Sequence, residues 1–190
     1  MPGIIRRLCA TVPVPISAGG LISEKSDIVS ALAAGAMAVS TTNEALYHFH
    51  GTNRRFEYKG SIGGVTIVDD YAHHPTEITA TLQAAKNYPH NTLWCVFQPH
   101  TYTRTLALFD DFAEAFEKTD VLILAEIYAA REKNIYKISS AQLADKIKET
   151  YPDKEVIFMS DFNEIADYVS ENAQRGDLVL TMGAGDIFKV

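Results

Sequence analysis

The chain has 190 residues, 47% of them hydrophobic and 22% charged, a balance that fits one folded domain with a core and excludes a disordered polypeptide. A net charge of −7, with Arg6-Arg7 and Arg54-Arg55 as the only close basic pairs, argues against a general nucleic-acid or membrane-surface binder. No run approaches the ~20 apolar residues of a membrane helix, and two cysteines, Cys9 and Cys95, form no disulfide framework, which fits a reducing, cytoplasmic setting.

Met1 to Pro15 reads poorly as a signal peptide, because Thr11, Pro13 and Pro15 break the apolar stretch after Arg6-Arg7. Ser26 or Asp27 is placed to cap a helix through Val29, Leu32, Ala33 and Met37, but this stretch has few large apolar anchors. Residues 1–50 therefore read as an incomplete, helical piece of something larger, with a domain junction near Gly51. Next, Arg55–Lys59 and Val65–Val68 flank Gly60-Ser61-Ile62-Gly63-Gly64, the pattern of a hairpin and an antiparallel edge strand.

Short runs at Val65–Val68, Leu93–Phe97, Val121–Leu124, Val156–Met159 and Leu178–Thr181 read as strands buried on both faces. Between them lie segments of helical period. Pro75 suits a first helical turn, with Ile78, Leu82 and Ala85 on one face; Leu108, Phe112, Ala115 and Phe116 repeat the pattern. Ser139 and Gln142 form a capping box before Leu143, Ile147 and Tyr151. Asp161 caps the helix of Ile165, Tyr168 and Val169, and Gly176 is expected to close it in a left-handed conformation. The predicted fold class is α/β: a Rossmann-like, mainly parallel sheet with helices on both faces and an antiparallel edge hairpin.

Two strands hand over abruptly to polar segments. Val65–Val68 delivers Asp69-Asp70-Tyr71-Ala72-His73-His74-Pro75, and Leu93–Phe97 delivers Gln98-Pro99-His100-Thr101-Tyr102-Thr103-Arg104. Ligands of open α/β sheets bind where strands end, so the two segments point to one composite site for phosphate or carboxylate groups. Carboxylates there suit ribose hydroxyls, histidines suit proton transfer or metal, and Arg104 suits an anion. The structural alternatives are that Asp69 and His74 only cap a turn and a helix, and that Arg104 only pairs with Asp110 or Asp111. Strand alternation sends Asp69 and Asp70 to opposite faces. Gly183-Ala184-Gly185-Asp186 after the last strand is a weak glycine signal by itself. Arg54-Arg55 suits phosphates or solvent, and Glu126–Lys133 reads as a solvated loop with Arg131 as a lid charge. A metal-dependent phosphoesterase using Asp69, Asp70, His73, His74 and His100 is the competing enzyme class; a non-catalytic binding module is the third. The sequence contains no phosphate-cradling Gly-x-x-x-x-Gly-Lys-Ser/Thr.

Four motifs, Arg54–Glu57, Asp69–Glu77, Phe97–Thr105 and Gly183–Asp186, occur in one order that resembles the C-terminal domain of the Mur ligase family across residues 51–190. The resemblance is nearest to members that join L-alanine to UDP-N-acetylmuramate. A murein tripeptide recycling ligase and a degenerate module are the alternatives. The resemblance implies a cytoplasmic, ATP-dependent reaction of peptidoglycan precursor synthesis, in which the muramate carboxylate becomes an acyl phosphate and the alanine amine attacks it. It also implies that ATP with Mg is held mainly by a central domain and the UDP-sugar by an N-terminal one, both lacking here, so the isolated chain is expected to be inactive. Residues 1–50 would be a partial helical remnant of that central ATPase domain. By motif match, Arg55 and Asp70 would contact the nucleotide, and Tyr71, His73, His100, Arg104 and Ala184 the amino-acid and muramate end. Arg104 would pair with the alanine carboxylate and Ala184 would lie near its methyl group. No residue is assigned as catalytic or metal-binding. Two departures stand out: Ser26–Ala31 lacks both asparagines of the family's ATP-holding helix, and Thr101 replaces an arginine common in some members.

Overall fold

The computed structural model describes residues 17–19, 38–40 and 53–190, and the chain divides into two units, 1–53 and 54–190. In the first unit, β1 (Ser17–Gly19) and β2 (Ala38–Ser40) pair in parallel, with Gly19 opposite Ser40. The helix expected through Val29 and Met37 lies outside the described residues.

The second unit holds a six-stranded sheet in the order β3-β4-β8-β5-β6-β7. Its strands are β3 (Glu57–Ile62), β4 (Val65–Asp70), β5 (Leu93–Phe97), β6 (Val121–Leu124), β7 (Glu155–Phe158) and β8 (Leu178–Met182). Only the β3–β4 pair is antiparallel. The hairpin loop is tighter than the five residues expected. Gly60 and Ser61 stay in β3 beside a bulge, and the turn is Gly63-Gly64 alone, with φ of 61° and 88°. Two successive positive φ values match the twist of a two-residue hairpin, and glycine adopts them without steric cost.

Helices cover both sheet faces, unequally. α1 (Pro75–Lys86), α3 (Phe109–Ala115) and α4 (Ser140–Thr150) pack on one face through Ile78, Leu82, Phe112, Leu143 and Ile147. α5 (Phe162–Asn172) covers the other through Ile165, helped by Ile187 of a closing 3-10 turn. Each large apolar side chain fully buried in this way contributes on the order of 2 kcal/mol.

The predicted caps are present. Ser139 and Gln142 close a capping box on α4, and Asp161 Oδ1 accepts from the amides of Asn163 and Glu164. Two expectations are corrected. The segment after β5 is not one helix: α2 (Tyr102–Ala107) breaks at Leu108, whose φ of −117° leaves the helical region before α3 begins. Gly176 does not close α5, which ends at Asn172 with Ala173 as its cap; Gly176, at φ 93°, belongs to the turn that enters β8.

Candidate functional site

β8 lies between β4 and β5, so the three strands whose ends carry motifs are immediate neighbours. Asp70 is level with Met182, and Met182 with Phe97. Segments 69–74, 183–186 and 98–104 therefore leave the carboxyl edge of the sheet side by side, at the position where open α/β sheets bind ligands. His100 also bridges to Tyr128, which brings in the loop after β6.

The two aspartates share no partner. Asp69, 1% exposed, receives Arg54 Nε at 2.9 Å on Oδ2 and the Thr181 hydroxyl at 2.8 Å on Oδ1. Asp70, 5% exposed, accepts from Phe56 N–H and Ala72 N–H, each at 2.7 Å. Burial raises the Asp70 pKa against the pull of those amides. Each Asp70 oxygen keeps one lone pair for a further donor. The neighbouring arginines divide in the same way. Arg54 turns inward, bonded to Asp69 and to the carbonyls of Gly183 and Gly185. Arg55 is exposed, its guanidinium 5.5 Å from the Tyr71 ring centre.

From Tyr71 a row of rings runs along the edge: Tyr71 to His73 at 5.5 Å, His73 to His100 at 5.9 Å, and His100 stacked on Tyr128 at 5.5 Å. The partners of the two histidines fix opposite tautomers when neutral. His73 Nδ1 lies 3.0 Å from the Tyr71 carbonyl, which can only accept, so Nδ1 carries the proton and Nε2 is an acceptor. His100 Nδ1 lies 3.3 Å from Arg104 Nη1, which can only donate, so Nε2 carries the proton. Burial, then the charges of Arg104 and His73, lowers the His100 pKa. Glu77 holds the other side of His73, accepting from the amides of His73 and His74. Burial opposes ionisation of Glu77, but those amides and His73 outweigh it and its pKa falls.

Thr101, where a β-branched residue adopts φ 66°, turns the chain from His100 into α2. Its amide donates to Tyr128 O at 2.9 Å, and Glu132 accepts from the Thr103 amide at 2.9 Å and from the Thr103 hydroxyl. Gln98, just after β5, ties its own strand end to the segments after β8 and β6. Its Oε1 accepts from Asp186 N–H at 2.9 Å, and its Nε2 donates to Glu126 O at 3.3 Å. Ala184 is half-buried between Gly183 and Gly185.

The geometry thus brings Arg55, Asp70, Tyr71, His73, His100, Arg104 and Ala184 onto one sheet edge. For His74 the structural alternative holds: its Nδ1 caps α1 by accepting from Thr76 N–H at 3.3 Å. For Arg104 it does not, since Arg104 turns to His100 while Asp110 pairs with Lys146. Among the described residues no three His, Cys, Asp or Glu side chains converge as a metal site would require. Sequence reasoning missed Tyr128 and Glu132, both inside the loop read as solvated. The residues by themselves left Arg54 and Arg55 as one pair; the family resemblance singled out Arg55 and gave Arg54 no role.

Residues 54–185 match the family model described as Mur ligase, glutamate ligase domain. The chain belongs to the Mur ligase family. It is 57% identical over 147 residues to the UDP-N-acetylmuramate–L-alanine ligase of Clostridium botulinum (strain Langeland), covering 77% of this chain and 32% of that one. The ligase of the same name from Caldanaerobacter subterraneus is 51% identical over 175 residues, covering 89% and 38%. Among solved structures, the UDP-N-acetylmuramate-alanine ligase of Thermotoga maritima superposes with a TM-score of 0.60 at 29% identity, covering 77% and 30%. A murein peptide ligase of Psychrobacter arcticus gives 0.59 at 26%, covering 83% and 32%. This Mur ligase chain thus spans about a third of the length of the relatives it matches. Residues 1–47 match a different model, the glycerol-3-phosphate responsive antiterminator.

Proposed function

We propose that residues 51–190 are the closing C-terminal domain of a cytoplasmic, ATP-dependent ligase that joins L-alanine to UDP-N-acetylmuramate. The observation that carries this reading is the meeting of Arg104, two histidines and Ala184 at three adjacent strand ends, with Arg55 beside Tyr71 at the same edge and high identity to ligases of that name in support. In the reaction, the γ-phosphoryl group of ATP passes to the muramate carboxylate, leaving ADP. The alanine amine then attacks the acyl carbonyl, phosphate departs, and the nitrogen loses its proton to give the amide.

In this domain Arg104 pairs with the alanine carboxylate and His100 donates from Nε2 beside it. His73 Nε2 accepts from the incoming amine, and Tyr71 walls the muramate end. Arg55 and Asp70 face the nucleotide, Asp70 through ribose hydroxyls. ATP phosphates and Mg are assigned mainly to the central domain, in keeping with a sequence that has no phosphate-cradling Gly-x-x-x-x-Gly-Lys-Ser/Thr loop. The chain alone is therefore inactive in this reading.

The test is phosphate release from Mg-ATP, UDP-N-acetylmuramate and L-alanine, with and without a separately expressed ATPase half. Release only with that half supports the closing domain; release by the chain alone overturns the division of labour. The likeness to a murein peptide ligase favours one second reading, and replacing L-alanine by murein tripeptide in the same assay, with UDP-N-acetylmuramate kept as the carboxylate component, separates the two.

For residues 1–50, the remnant of the central domain has the support of the Caldanaerobacter alignment, whose 89% coverage reaches ahead of Arg54. The match over 1–47 favours a segment of a glycerol-3-phosphate responsive protein instead. Calorimetric titration of the chain with glycerol 3-phosphate distinguishes them, since a ligase remnant gives no heat of binding.

A further inference from the structure

We propose that Arg54 is a positioning residue that fixes Ala184 and thereby sets the size of amino acid the site accepts; the second half of this statement rests on the ligase reading. One planar guanidinium holds the carbonyls on both sides of Ala184. Nη2 donates to Gly183 O at 2.6 Å and Nη1 to Gly185 O at 3.2 Å. The third donor, Nε, is fixed by buried Asp69, which is itself held by Thr181 of β8, the strand that leads into the loop. The guanidinium carbon also lies 4.5 Å from the Phe188 ring centre and 5.0 Å from that of Tyr71. Both ends of segment 183–188 are thus tied to one side chain.

The backbone of Arg54 makes the same point. At φ 57° an arginine is strained where a glycine would not be, and the conformation is held by Arg54 N–H donating to Glu57 and Tyr71 N–H donating to Arg54 O. A position that suits glycine locally yet carries arginine does so for its side chain. Lysine keeps the charge beside Asp69 but is a point donor and cannot span two carbonyls.

The remaining ties of the loop are the amides of Gly183, to Asp70 O at 3.0 Å, and of Asp186, to Gln98 Oε1 at 2.9 Å. These amides report on the grip. In the full chain carrying Arg54→Lys, hydrogen exchange at Gly183 and Asp186 should quicken by at least ~10-fold while β5 and β6 amides keep their protection. No change, or uniform quickening across the sheet, overturns the positioning role. Paired with the ATPase half, the variant should raise KM for L-alanine about tenfold, leave KM for ATP unchanged and lose preference for L-alanine over L-valine. Equal losses for ATP and alanine overturn the link to specificity. A wild-type pair that releases no phosphate overturns the ligase reading and the specificity claim with it, while exchange still decides whether Arg54 holds the loop.

Discussion

Gln98 lies against Gly185 across the ends of two neighbouring strands, and the contact leaves no space for a side chain on the glycine. A Cβ built there would meet Gln98 Oε1 and come within 2.8 Å of the Tyr128 ring. Gly185→Ala should therefore displace Gln98, break its bond from Asp186 N–H and cost about 1–3 kcal/mol in urea unfolding. A variant as stable as wild type would show that the loop shifts freely.

Adjacent arginines should behave as opposites. Arg54→Ala strands the Asp69 carboxylate, which is almost fully buried, and should cost about 3 kcal/mol. Arg55→Ala removes an exposed side chain and should stay within about 0.5 kcal/mol. Chemical denaturation of the two variants side by side checks the contrast, and equal losses would refute the division between them.

His100 should make stability depend on pH. Its pKa in the folded chain lies below the ordinary value of about 6.5, so the unfolded chain binds the proton more readily. The contribution is complete above about pH 7 and is lost as pH falls through 6.5 toward the folded value. Denaturation midpoints at pH 7.5 and 5.5 should converge in His100→Asn relative to wild type. An unchanged pH dependence would assign the effect to other groups.

At the opposite end of the sheet, Asp177 gathers three donors: Thr92 N–H at 3.1 Å, Trp94 Nε1 at 3.1 Å and Gln174 N–H at 2.9 Å. Asp177→Ala leaves them unpaired and should destabilise by about 2–4 kcal/mol. Trp94 is the sole tryptophan, so its emission follows the unfolding directly. The site amides, at the far edge, should keep their exchange rates in native buffer.

Local signals carried the strands, the caps of α1, α4 and α5, and the identity of the polar strand ends. Pro75 with Glu77, and Ser139 with Gln142, are patterns whose physics is complete within four residues. What was not legible depends on distant partners. The place of β8 between β4 and β5 rests on pairings with residues far back in the chain, Thr66 and Leu93 both opposite Leu178, and no local pattern encodes it. Which of Arg54 and Arg55 turns inward follows from positive φ at Arg54 and Phe56, a conformation their side chains do not favour. Tyr128 joined the site because a parallel bridge draws its loop beside His100, although its composition reads as solvated.

The order of the strands also has a consequence for biosynthesis. Of the six strands of this sheet β8 comes last in sequence, yet it lies between β4 and β5 inside the sheet. While the ribosome is still extending the chain, β4 and β5 each present an open edge to the surroundings, with no neighbour yet available to pair them. Emergence of residues 178–186 closes both edges in one step and assembles the ligand-facing rim in the same event. A nascent chain halted before Leu178 thus has two unpaired inner edges and an unassembled rim, both supplied by the one strand still to come.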